Sequence, residues 1–271
     1  MRTSQPTLPP VPAQARLRSA ALLGLLGCAL AASLGACSAT RPGEGEPSGA
    51  VVAERHYMRG EALAEQGRAP EAIDAYHAAI RAEPEFPKAY YKLGNQYSRL
   101  GRYEAAIEAY KRAIRRDPDF IKAYNNLGLA YTANGAPEKA VVVLRRATAL
   151  APGYARAWSH LGSAYEEMGE HSRAILTFKE AIEIDPGYGQ AYNNLGRAYA
   201  SLRLYDEAEE AYQRALRINS DNVNAVFNLG KLYTMTGDEA AAQTQLTKLT
   251  ELDPWKADAL GRAITRGKPL R

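Results

Sequence analysis

Residues 123–131 read Ala123-Tyr124-Asn125-Asn126-Leu127-Gly128-Leu129-Ala130-Tyr131, and Ala140, Ala147 and Pro152 follow. The same frame recurs along the chain. Gly60, Gly94, Gly128, Gly162, Gly196 and Gly230 stand 34 residues apart, as do Ala72, Ala106, Ala140, Ala174, Ala208 and Ala242. A further series runs Ala79, Ala113, Ala147, Ala181 and Ala215, with Leu249 in the sixth position. Prolines fall at Pro84, Pro118, Pro152, Pro186 and Pro254, and Ser220 stands in the fifth unit. A fixed period of this length marks a stack of supersecondary units. Framed on the prolines, six units cover 53–86, 87–120, 121–154, 155–188, 189–222 and 223–256, and a residue's place below is its position, 1 to 34, within its unit.

Each unit reads as two helices joined by a turn. Ala, Leu, Glu, Arg and Lys, all strong helix formers, dominate the sequence. Gly67, Gly101, Gly135, Gly169 and Gly237 stand where the first helix should stop, and the recurring proline ends the second. A glycine inside a helix costs about 0.5–1 kcal/mol relative to alanine, so the six at place 8 require a compensating close approach of helices. Aromatics recur at place 4 (Tyr90, Tyr124, Trp158, Tyr192), place 11 (Tyr97, Tyr131, Tyr165, Tyr199, Tyr233) and place 24 (Tyr76, Tyr110, Phe178, Tyr212). They account for most of the bias toward tyrosine, 17 residues against four phenylalanines and two tryptophans, and should fill the space between neighbouring units. One helix pair cannot bury such a face alone, so stability must come from stacking.

This pattern resembles the tetratricopeptide repeat family over residues 53–256. The resemblance implies an all-α, right-handed α-solenoid of six helix-turn-helix repeats with a concave groove lined by the first helices. The first unit departs at His56 and Arg59, and the sixth at Val226 and Leu249, as ends should. Residues 257–271 are expected to form a capping helix, Ala257 to Ile264, and a short basic tail.

The N-terminus has a different composition. Arg2, Arg16 and Arg18 are the charged residues of the first 36 and carry three of the four net positive charges; the remainder holds 31 basic and 30 acidic residues. That balance gives no electrostatic case for a nucleic-acid partner. From Ser19 to Thr40 no residue is charged, and Ala20 to Leu34 is rich in Leu and Ala. A basic flank, an apolar run and small residues predict a secretory signal peptide; a membrane-spanning helix is the competing assignment, which the many Ala, Gly and Ser residues disfavour.

The run ends in Leu34-Gly35-Ala36-Cys37, which resembles the lipobox of bacterial lipoproteins, cut before a cysteine that then carries lipid. Leu25-Leu26-Gly27-Cys28 fits the same pattern, but cutting there leaves a shorter apolar run and a more apolar mature chain. The resemblance implies a signal peptide over 1–36, lipidation of Cys37 and, with Ser38 following, sorting to the outer membrane. The Pro/Gly/Glu-rich stretch after Cys37 cannot bury a core, so residues 37–52 are expected to be a flexible tether.

Nothing in the sequence points to catalysis. His56, His77, His160 and His171 stand in no ligand or general-base spacing, Ser159-His160 has no acid placed to orient the ring, and no cofactor or metal site is expected. The groove is more informative. The family resemblance places positions 2, 5, 6, 9, 12 and 13 of each first helix inward. Place 6 holds Asn126, His160, Asn194 and Asn228, with Asn125 and Asn193 beside two of them. An amide carries donors and an acceptor, so such a series resembles the asparagine ladder by which repeats of this family hold the backbone of an extended peptide.

Lys88, Lys92, Arg99, Lys122, Arg156, Arg197 and Lys231 give the groove a positive side, countered by Glu166 and Glu167; Asn95 is a further polar groove residue, and Tyr91 and Leu129 offer apolar contacts. The expected partner is therefore a protein or extended peptide segment, acidic near units two and three, with the membrane reached through the lipid anchor. Repeat number and anchoring together are similar to the pilotins of type IV pilus secretins. That likeness implies a lipid-anchored periplasmic scaffold assembling an outer-membrane complex. The alternatives are an adaptor that recruits peptidoglycan enzymes and a soluble periplasmic assembly factor.

Overall fold

The computed structural model describes residues 48–266, and the signal, lipobox and basic-tail assignments lie outside them. Among the described residues thirteen α-helices follow one another: α1 Gly49–Glu65, α2 Ala69–Ala82, α3 Pro87–Arg99, α4 Tyr103–Arg116, α5 Ile121–Ala133, α6 Pro137–Leu150, α7 Ala155–Glu167, α8 His171–Ile184, α9 Gly189–Ser201, α10 Tyr205–Ile218, α11 Val223–Thr236, α12 Glu239–Leu252 and α13 Pro254–Arg266. They pack as antiparallel pairs, α1 with α2 through α11 with α12, and each pair packs on the next. The result is an all-α solenoid.

The turn within each pair is set by a left-handed residue. Gly67, Gly101, Gly135, Gly169 and Gly237 all have positive φ, between 70° and 84°. At the first turn the Gly67 amide donates to Ala64 O and the Arg68 amide to Leu63 O, the paired bonds of a Schellman cap. In repeat five the position is Arg203, with φ 61°, and the same two bonds form from Arg203 to Ala200 and from Leu204 to Tyr199. Second helices stop where the residue preceding Pro84, Pro118 and Pro186 turns extended. Asn219 adopts the same conformation before Ser220, so the proline reinforces a break that the stacking already imposes.

The core is made of small residues meeting rings. Ala72, Ala106, Ala140, Ala174, Ala208 and Ala242 are fully buried, and so are the place-3 alanines Ala89, Ala123, Ala157, Ala191 and Ala225, which the repeat reading had not singled out. The close approach expected at place 8 is present. A Cβ on Gly60, Gly94, Gly162 or Gly196 would lie 2.6 Å from the ring of Tyr76, Tyr110, Phe178 or Tyr212 respectively, each at place 24 of the same repeat. Those rings also pack on the following repeat, Tyr76 on Leu93 and Tyr110 on Leu127, so one side chain ties two interfaces.

Both ends differ from the sequence expectation. Helix α1 begins at Gly49, inside the stretch assigned to the tether, because its first turn packs onto the end of α2; a Cβ on Gly49 would meet the Ala82 carbonyl at 2.7 Å. Helix α13 begins at Pro254, ahead of the expected Ala257, and sends Leu260 into the space above Gly230. Buried Ala257, Leu260 and Ala263 close the last interface, while Trp255 is 86% exposed.

Candidate protein-binding groove

First helices of neighbouring repeats touch one another along the whole series α1, α3, α5, α7, α9, α11 and α13, whereas among the described residues no second helix touches another second helix. The stack therefore curves with the first helices inside, and their exposed side chains line the concave face. Lys88, Lys122 and Arg156, all at place 2, stand exposed on α3, α5 and α7 in consecutive repeats. Among the described residues none of the three makes a salt bridge. The place before them in this column is Glu54.

Place 6 does something the sequence did not show. Each of its side chains reaches back to the preceding repeat. Lys92 Nζ lies 2.6 Å from Glu61 Oε1. Asn126 Nδ2 donates to Asn95 Oδ1 at 2.9 Å and to the Tyr91 hydroxyl at 3.2 Å. His160 Nδ1 donates to Asn125 Oδ1 at 2.7 Å. Asn194 Nδ2 donates to Ser163 Oγ at 3.5 Å, and Asn228 Nδ2 to Asn193 Oδ1 at 3.0 Å. Within repeats, Asn125 Nδ2 donates to Asn126 Oδ1 at 3.0 Å, and Tyr110 donates its hydroxyl proton to Asn95 Oδ1 at 2.8 Å. Burial holds His160 well below the usual histidine range, at about 4, with Arg156 adding to the effect. The ring is neutral near pH 7 and its Nδ1 proton makes the joint.

This arrangement corrects the ladder expectation. Asn125, Asn193 and Asn194 are buried, and the amides meet neighbouring repeats where a peptide backbone was expected. Their spacing is fixed because each must meet its counterpart one repeat away. Asn126 and Asn228 stay half-buried on the wall. Tyr91 is likewise partly structural, its ring 4.9 Å from Phe120 between centroids. Leu129 and Arg197 are exposed, as a groove role requires.

Glu166, expected to counter the positive side, holds its carboxylate against neighbouring helices: Oε2 lies 3.0 Å from His171 Nδ1 and Oε1 accepts from Ser201 Oγ at 3.1 Å. Both oxygens are committed across the α7–α8 turn and to α9. No group of His, Cys, Asp and Glu among the described residues could hold a metal ion, and no described helix is long and apolar enough to cross a membrane.

Family models described as tetratricopeptide repeat match residues 119–187, 161–223 and 202–261, and one described as TPR repeat matches 60–101 and 94–135. The chain belongs to the tetratricopeptide repeat family. It is thus a scaffold for protein–protein interaction. Among solved structures it is similar to MamA protein, at 33% identity and TM-score 0.56, over 62% of this chain and 92% of that one. It is similar to YrrB, described as a TPR protein with an unusual peptide-binding site, at 25% identity and TM-score 0.53, over 64% of this chain and 90% of that one. PilW, described as a widely conserved type IV pilus biogenesis factor, aligns with TM-score 0.70 over 77% of this chain and 98% of that one, and at 17% identity that likeness shows the fold alone. Among curated proteins no match is found.

Proposed function

We propose that this protein is a lipid-anchored periplasmic scaffold of the outer membrane that holds an extended acidic segment of a partner protein and acts in assembling a type IV pilus complex such as the secretin. One observation carries the binding reading: three exposed cations that form no ion pair among the described residues, Lys88, Lys122 and Arg156, occupy the same place on consecutive first helices of the inner face. Most polar groups around them are already joined to one another, so these cations are the open handles of repeats two to four. Carboxylates spaced along an extended segment complement such a column, and steering by it weakens with salt. The pilus assignment draws support from the likeness to PilW, which spans nearly all of that protein. The anchor draws support from the lipobox resemblance at Leu34 to Cys37.

The reading is tested in the cell and on the purified chain. Deleting the gene is expected to abolish secretin multimers and twitching motility; intact multimers would turn the assignment toward other assembly partners. Mass spectrometry of the mature N-terminus is expected to find acylated Cys37, and an unmodified cysteine would end the anchoring part. Lys88→Gln, Lys122→Gln and Arg156→Gln together are expected to weaken capture of the partner from cross-linked membranes while leaving unfolding unchanged.

A further inference from the structure

We propose that Arg197 and Lys231 form a second anion-docking point of the groove, taking an acidic side chain of the same extended partner segment. The inference rests on the reading of the groove given above and carries it from repeats two to four into repeats five and six.

Both residues occupy place 9 of first helices that touch, α9 and α11. At the polar place-9 positions of repeats one, two and four the side chain is neutralised or joined, and in repeat three the place holds the exposed apolar Leu129. Glu61 meets Lys92, Asn95 accepts from Tyr110 and Asn126, and Ser163 accepts from Asn194. At α9 and α11 the place holds two like charges in succession, and among the described residues neither is in a salt bridge. Their proximity registers on Lys231, whose ammonium is held below the usual lysine range first by burial and then by Arg197. Glu166 shares the surroundings of the Tyr212 hydroxyl with Arg197, but among the described residues its contacts are with His171 and Ser201 and it forms no salt bridge with Arg197 or Lys231. Lys231 Nζ also lies 5.8 Å from the centroid of the Phe227 ring, so its stem is laid along an apolar wall.

A half-buried ammonium beside a guanidinium destabilises the unliganded protein. A carboxylate placed between them would supply the missing counter-charge, offsetting the cost of burial and the repulsion. The pair sits on the same inner face as Lys88, Lys122 and Arg156, further along the stack, which fits a segment carrying several acidic residues.

The test uses the full chain in mild detergent and a fluorescein-labelled hexaglutamate peptide, acetylated and amidated at its ends, followed by fluorescence anisotropy. Arg197→Gln with Lys231→Gln is expected to weaken binding about five-fold at low ionic strength, less as salt is raised. Arg145→Gln with Arg146→Gln, exposed on second helix α6, is expected to change nothing. Nuclear magnetic resonance of Lys231 should show its titration moving upward in Arg197→Gln and upward again when peptide binds the wild type. If the place-9 pair binds as wild type while the Lys88, Lys122 and Arg156 variant loses affinity, this inference is overturned and the groove reading stands. If neither set matters, both fail. Equal losses in the α6 control, or binding only when the peptide's terminal carboxylate is left unblocked, also overturn it.

Discussion

In repeat two the ring of Tyr110 lies over Gly94, and in repeat five the ring of Tyr212 lies over Gly196; a Cβ on either glycine would meet its ring at 2.6 Å. One residue further along the same helices the two repeats part. Asn95 accepts from Tyr110 and from Asn126 of the next repeat, closing a joint, whereas Arg197 leaves the Tyr212 hydroxyl without a hydrogen bond among the described residues and shares its place with Lys231 on the adjoining first helix. Stacking fixes places 8 and 24 because both interfaces of a repeat pass through them. Place 9 borders that core without belonging to it, so its side chain can serve either as a joint between repeats or as a charge turned toward a partner.

The strongest challenge to this equivalence of cores is a methyl group. Gly94→Ala and Gly196→Ala should each destabilise the protein by about 2 kcal/mol, since overpacking a filled site forces rings or helices apart. Urea unfolding measures this, with transition midpoints compared because an array of repeats need not unfold in two states. A difference between the two variants of more than about 1 kcal/mol would mean that the repeats do not share one core.

The next effect separates the surfaces. Tyr110→Phe removes a bond to Asn95 and should cost about 1 kcal/mol, while Tyr212→Phe should cost close to nothing. Tyr76 sharpens the contrast. Its place-9 neighbour in sequence register is Glu61, which is paired with Lys92, and the Tyr76 hydroxyl is buried without a partner; burial pushes its pKa up to about 12. Tyr76→Phe should therefore leave stability unchanged or raise it. A loss equal to that of Tyr110→Phe would show a bond to that hydroxyl that the structure lacks.

The fold was legible because packing repeats its demands every 34 residues: Gly94, Ala106, Tyr110 and Ala113 recur as a set, and nothing but close stacking needs them all. The groove was legible only in part. A polar residue at fixed spacing reads alike whether it faces a ligand or its own counterpart one repeat away, and Asn125 and Asn193 turned out to face inward. That direction depends on how closely adjacent first helices approach, a property of the stack that no single unit encodes. Likewise Glu166 read as a counter-charge of the groove, and its contact with His171 shows only once the turn into α8 is folded. The exposed place-2 column needed no such knowledge, since Lys88, Lys122 and Arg156 project from helix starts into solvent.

The smallest expected effect lies at the turns of the same two repeats, Gly101 with φ 70° and Arg203 with φ 61°. A residue with a Cβ pays about 1–2 kcal/mol to adopt this left-handed conformation. Glycine avoids that strain but loses about 0.5–1 kcal/mol more backbone entropy on folding. Arg203→Gly should therefore stabilise repeat five by roughly 0.5 kcal/mol, and Gly101→Arg should weaken repeat two by a similar amount. Both caps keep their pair of backbone bonds, Arg102 to Tyr97 with Gly101 to Ser98 and Leu204 to Tyr199 with Arg203 to Ala200, so the exchange isolates the cost of the Cβ. Should Arg203→Gly destabilise instead, the arginine side chain would be holding something at that turn, and the two repeats would differ at their ends as they do at place 9.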